Sequence, residues 1–129
     1  MFNLKFYYCM RCGNVAVKVV DHGTAVPMEC CDGKMIELVP GKVDAAQEKH
    51  VPVVEVSGST VKVSVGSVAH PMAEGHFIQF ICLETSAGFQ VAKLSPGDAP
   101  EAVFTLPEGV SAVAAYEHCN KHGLWAAKA

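Results

Sequence analysis

Cys9-Met10-Arg11-Cys12-Gly13 separates two thiolates by two residues, a gap that lets both sulfurs face one ion, and Gly13 frees the backbone to turn back beneath it. A second pair, Cys30-Cys31, is adjacent. Four thiolates concentrated in one short segment make a tetrahedral site suited to zinc or to a single iron. Residue type alone does not choose between a structural zinc knuckle and an iron centre. Neighbouring residues of an extended chain point to opposite sides, so binding one ion through both Cys30 and Cys31 is expected to strain the site away from ideal tetrahedral geometry.

Five further donors lie in three distant stretches. Glu48-Lys49-His50 precedes a strand-like run. His70-Pro71-Met72-Ala73-Glu74-Gly75-His76 sets two imidazoles around a tight loop, and Cys119-Asn120-Lys121-His122-Gly123 sets a thiolate and an imidazole three residues apart. A lone histidine in a β-domain is more often a surface or core residue than a ligand. Four histidines and a cysteine at strand ends and in loops, where a rigid scaffold can aim them, form a stronger set.

These donors need elements to carry them. The 129 residues are half hydrophobic and 18% charged, enough apolar surface to bury a core. The first segment, 1–39, alternates short apolar runs with turn residues, among them Asp21-His22-Gly23-Thr24, and is too short for a sizeable core without a metal or disulfides. Pro40-Gly41-Lys42 reads as the joint to a second segment, 40–129. That segment holds seven strand candidates: 51–56, 60–65, 76–84, 89–94, 102–106, 110–117 and 124–127. Val61, Val63 and Val65 alternate with Lys62 and Ser64, the period of a half-buried strand. Gly and Pro punctuate the runs at short intervals, which favours an antiparallel β-sandwich. A short helical turn is expected over 44–49. The fold class expected is all-β.

Six cysteines in a reducing compartment are better read as metal ligands or redox groups than as structural disulfides. The net charge of −3 gives no electrostatic reason to expect nucleic acid or an anionic membrane as partner. No apolar run approaches the length of a membrane span, and the residues before Cys9 include Asn3, Lys5 and two tyrosines instead of a continuous apolar stretch. The expectation is a soluble cytoplasmic protein.

The runs GKVDAAQEKHVPVVE, KVSVGSVAHPMAEGH, LSPGDAPEAVF and CNKHGLW together resemble the desulfoferrodoxin (two-iron superoxide reductase) family. YYCMRCGN followed by ECC resembles the desulforedoxin-type, rubredoxin-like domain at that family's start. The resemblance implies two mononuclear non-haem irons. Cys9, Cys12, Cys30 and Cys31 would hold the first. His50, His70, His76 and His122 would surround the second, with Cys119 as the axial thiolate. Glu48 would match the carboxylate that closes the vacant position in the oxidised state, and Lys49 the lysine that attracts superoxide. The second domain would be an immunoglobulin-like sandwich. Homodimers and a small electron-donor protein such as rubredoxin are expected partners. The activity implied is one-electron reduction of superoxide to hydrogen peroxide. The alternative is a rubredoxin-like electron carrier without turnover, and a zinc-stapled interaction module is a third reading.

Several residues stand outside this scheme. His118 occupies a position where the family pattern leads one to expect an aromatic, and it should point away from Cys119 on a strand. Cys82 reads as a buried small hydrophobe and His22 as solvent-facing. The backbone amides of Lys121 and His122 are expected to hydrogen-bond the Cys119 sulfur, with Gly123 keeping that loop tight. Trp125 reads equally as a shield for the site or an ordinary core aromatic.

Overall fold

The structure, a computed structural model, describes residues 2–23 and 27–129; Thr24 of the expected turn lies outside them. The chain divides into two compact units, Met1–Val39 and Pro40–Ala129.

In the first unit, β1 (Lys5–Tyr8) pairs antiparallel with β2 (Val15–Lys18) on one side and, across β3 (Glu29–Cys30) and β4 (Gly33–Lys34), with β5 (Ile36–Leu38) on the other. The β1–β2 connection is the Cys9–Cys12 knuckle. The two-residue hairpin β3–β4 presents Cys30 and Cys31. Among its described residues only Phe6, Tyr7 and Cys9 are buried, so the unit cannot rest on apolar burial alone. His22 is exposed.

The second unit is an antiparallel sandwich of seven strands. After the single-turn α1 (Gln47–His50) come β6 (Pro52–Ser57), β7 (Thr60–Val65), β8 (Ile78–Thr85), β9 (Gly88–Lys93), β10 (Glu101–Thr105), β11 (Ala112–Cys119) and β12 (Gly123–Lys128). One sheet runs β10-β7-β6 and the other β12-β11-β8-β9. Their facing sides form one core. Val61, Val63 and Val65 of β7, with Ala102 and Phe104 of β10, meet Ile78, Ile81 and Leu83 of β8 and Ala115 and Cys119 of β11. The alternation along β7 is complete, its valines fully buried and its polar residues outward. On β8 and β11 the opposite face is buried too: Cys82 and Tyr116 are inaccessible, and Tyr116 Oη donates to Glu84 Oε1 at 2.7 Å. That double burial accounts for the near-continuous apolar run in the β8 sequence.

Two expected boundaries shift. The helical turn covers Gln47–His50 instead of 44–49, because Ala46 offers no side-chain cap and Val51 before Pro52 takes an extended conformation. Strand β8 begins at Ile78 and not His76, because His76 is held outside the sheet in a reciprocal backbone pair with Ala73 at 3.0 and 3.1 Å. Among the described residues no helix is long and apolar enough to cross a membrane.

Candidate metal centres

The four sulfurs of Cys9, Cys12, Cys30 and Cys31 lie within 4.8 Å of one another, and all four cysteines are free. Cys12 Sγ and Cys30 Sγ are 3.6 Å apart, and Cys30 Sγ and Cys31 Sγ 3.9 Å. These spacings are far beyond a disulfide bond. They bracket the ~3.8 Å edge of a tetrahedron whose corners each stand about 2.3 Å from one ion. At the adjacent pair, Cys31 and the following Asp32 both adopt positive φ, 53° and 59°, a region costly for residues with a Cβ. Gly13 turns the knuckle at φ 81°, and its N–H bonds Cys9 O at 2.8 Å.

The thiols are unequal. The Cys12 amide donating to Cys9 Sγ at 3.5 Å leads the effects that draw the Cys9 pKa down to about 6. Cys31, crowded first by Cys12 and then Cys30, is pushed up to about 12. Four thiolates packed this closely repel one another, and a cation is the natural partner for them. Asn14, unassigned on sequence grounds, binds the knuckle to the hairpin: its carbonyl accepts from Cys9 N at 2.9 Å and its Nδ2 approaches Cys30 Sγ at 3.8 Å.

The second set converges as well. The donor atoms of His50, His70, His76, Cys119 and His122 all lie within 4.8 Å of one another. The imidazoles form a closed ring, each edge-to-face with the next. Centroid separations are 4.7 Å for His50–His70 and 4.8 Å for His70–His76, then 4.9 Å for both His76–His122 and His122–His50. His50 Nδ1 donates to Ala46 O at 2.8 Å and His70 Nδ1 to Pro71 O at 2.6 Å, which leaves each Nε2 as a bare lone pair aimed at the centre. His70 Nε2 and His76 Nε2 are buried with no hydrogen-bond partner among the described residues. His122 points inward through Nδ1, 3.1 Å from His50 Nε2 and 3.9 Å from Cys119 Sγ. Burial lowers the pKa of His50, His70 and His76, that of His70 to about 4, so at neutral pH these rings present unprotonated nitrogen. Orphaned nitrogens, neutral rings and one sulfur fit an iron ion.

Cys119 is inaccessible to solvent at the end of β11. Burial raises its pKa, and the amides of Lys121 and His122 act against that by hydrogen-bonding the sulfur, as the sequence led one to expect. Gly123 closes the turn at φ 77°. Trp125 serves both roles left open by the sequence. It is 4% exposed, its ring lies 5.1 Å from that of His50, and its Nε1 donates to His122 O at 3.0 Å. His118 faces away from Cys119, stacks on Phe80 and pairs through Nδ1 with Gln79 Oε1 at 2.7 Å.

Backbone ties bring the three stretches together. Val68 N donates to Glu48 O at 2.8 Å and His70 N to Val65 O at 2.9 Å, so the turn after β7 holds both α1 and His70. Asn120 was not singled out from the sequence, yet it fastens the Cys119–His122 turn to the His76 loop. Its Oδ1 accepts from Phe77 N at 2.9 Å and its Nδ2 donates to Gly75 O at 3.1 Å. Glu117 was also missed. It is fully buried, its carboxyl oxygens have no hydrogen-bond partner among the described residues, and burial pushes its pKa well above the usual carboxylate range. Lys49 and Glu48 are exposed on α1. The Glu48 carboxylate does not join the five donors; it lines a shallow surface depression with Gln47, Val51, Val53 and Ser67.

A sequence model described as Desulfoferrodoxin matches residues 42–128. The desulfoferrodoxin of Syntrophotalea carbinolica is 49% identical over 125 residues, 97% of this chain and 96% of that one. The desulfoferrodoxin of Nitratidesulfovibrio vulgaris is 44% identical over the same shares of the two chains. Among solved structures, the superoxide reductase from Treponema pallidum superposes with a TM-score of 0.84 at 40% identity, covering 98% of this chain and all (100%) of that one. The superoxide reductase (1Fe-SOR) from Giardia intestinalis superposes with a TM-score of 0.54 at 31% identity, covering 64% of this chain and 97% of that one. With a family match spanning the whole sandwich and relatives this similar along nearly the full chain, the protein belongs to the desulfoferrodoxin family.

Proposed function

We propose that the chain is a superoxide reductase: it converts superoxide, one electron and two protons into hydrogen peroxide and releases no dioxygen. The observation that carries this reading is the closed ring of four imidazoles with the buried sulfur of Cys119 beside it. When bound there, iron supplies a one-electron ferrous–ferric couple. His50, His70, His76 and His122 would hold it through ring nitrogen. Cys119 would supply the one sulfur ligand and its electron density, with the amides of Lys121 and His122 moderating its basicity. Trp125 packs beside the ring of His50 and holds the His122 backbone carbonyl through Nε1. Lys49 offers an exposed cation to an incoming anion. Glu48 lies outside the donor set, and α1 would have to rearrange for its carboxylate to reach that centre.

Cys9, Cys12, Cys30 and Cys31 would hold the other iron in a desulforedoxin-like domain, 1–39, joined to the catalytic domain, 40–129. Exposed Cys12 and Cys31 give a docking electron donor, a small protein such as rubredoxin, a short path to that ion. The reading places the protein in the cytoplasm, as a homodimer.

Pulsed superoxide delivered anaerobically to the reduced protein tests the assignment. One peroxide per superoxide without dioxygen is expected; dioxygen release would indicate dismutation, and no consumption of superoxide would indicate a pure carrier. Lys49→Ala is expected to slow the bimolecular step several-fold and flatten its dependence on ionic strength. An unchanged rate in stopped mixing at low salt would remove Lys49 from capture.

A further inference from the structure

The protein is net negative, so any anion it captures must be drawn by local charge. Four charged side chains act on the five donors of the sandwich site: Glu48 and Glu117, which repel an anion when ionised, and Lys49 and Lys121. Lys49 belongs to the scheme already given. Lys121 does not. It is exposed, like Asn120, in the β11–β12 turn, set between the donors Cys119 and His122, and that turn is fastened by Asn120 to the loop carrying His76. Its position is therefore fixed against the site by backbone on both sides. Neither Lys49 nor Lys121 takes part in an ion pair among the described residues, whereas Lys5, Lys18 and Lys62 do.

We propose that Lys121 is a second anion-steering residue, forming with Lys49 a two-lysine rim that draws a small anion to the centre built from four histidines and Cys119. The proposal rests on the superoxide reading for its substrate, while the cationic rim itself does not depend on which small anion arrives. A unit charge about 8 Å from a passing anion in water changes local concentration roughly two- to threefold, and charge reversal about squares that factor. The side chain can be changed without touching the backbone amide that Lys121 gives to Cys119, so the visible spectrum of the iron-loaded protein reports whether the thiolate site survives.

The test uses the full iron-loaded chain as wild type, Lys121→Ala, Lys121→Glu and Lys121→Arg. Two readouts are followed over a range of ionic strength: the bimolecular rate with pulsed superoxide, and the affinity of the oxidised protein for azide measured by visible absorption. At low salt, Ala is expected to lower both about two- to threefold and Glu about five- to tenfold. Arg is expected to match wild type, and all variants should converge at high salt, where charges this far apart are screened. Equal azide affinity in wild type and the Glu variant at low salt overturns the proposal, as does a loss that persists at high salt. A wild-type protein that binds azide with the expected charge dependence but consumes no superoxide sinks the enzymatic reading and leaves the rim standing.

Discussion

Cys119→Ser is expected to leave a folded sandwich that has lost its turnover. The side chain is inaccessible to solvent and is the one sulfur among the five donors. Serine is nearly isosteric, and its oxygen can accept from the same Lys121 and His122 amides that now meet the sulfur. The cost to folding should accordingly stay near 1 kcal/mol, the scale of one buried hydrogen-bonding group that keeps its partners. The electronic loss is much larger. A serine hydroxyl stays protonated where a thiol held by two amides and a cation ionises, so the anionic donor vanishes while the four imidazoles remain. The sulfur-to-iron absorption band should disappear and the rate of peroxide formation should fall by about a hundredfold or more, the upper range seen when groups tuning a metal are removed. Thermal unfolding of the metal-free protein, visible absorption after iron loading and peroxide yield separate the three quantities. A variant with full absorbance and full rate would show that the sulfur is not a ligand.

How much of this was legible in the sequence depends on the range of the interaction involved. The nine sulfur and imidazole donors stood out by type and spacing as candidates, and the family resemblance sorted them into two sites; the positive φ at Cys31 and Asp32 was not legible there. The seven sandwich strands followed from period-two alternation, clearest in Val61, Val63 and Val65. What could not be read was contact between distant backbones. Asn120 looks like an ordinary turn residue until its amide is seen gripping Gly75 and Phe77, more than forty residues away. Glu117 sits on an inward-facing position two residues before Cys119, opposite Ile81 and Trp125, but alternation alone would have assigned an apolar side chain there. Trp125 stayed ambiguous because packing on His50 and ordinary core burial are the same fact in this fold.

Gly66→Ala is the variant expected to damage the sandwich site most selectively. A methyl group at this position would stand 2.7 Å from Glu48 O, 3.0 Å from Val51 O and 3.1 Å from the Lys49 carbonyl carbon. All three are backbone atoms of α1 and its exit, so no flexible side-chain end can swing aside. Relief requires α1 to move outward, which breaks the Val68 N–Glu48 O bond and carries His50 away from His122, its neighbour at 3.1 Å. Overpacking of this kind costs about 1–3 kcal/mol, and displacing one of five ligands should weaken iron binding about ten- to a hundredfold. The Cys9, Cys12, Cys30 and Cys31 set belongs to the other compact unit and should keep its ion. Iron per chain during titration with a chelator should therefore fall in one early step, with the absorption of the histidine-rich centre lost before that of the four-cysteine centre. Gly75→Ala is the matched control. It lies next to His76, yet a methyl group there meets nothing within 4 Å. If Gly66→Ala released iron no sooner than Gly75→Ala, α1 would have to be free to yield, and close backbone contact could not be what aims His50.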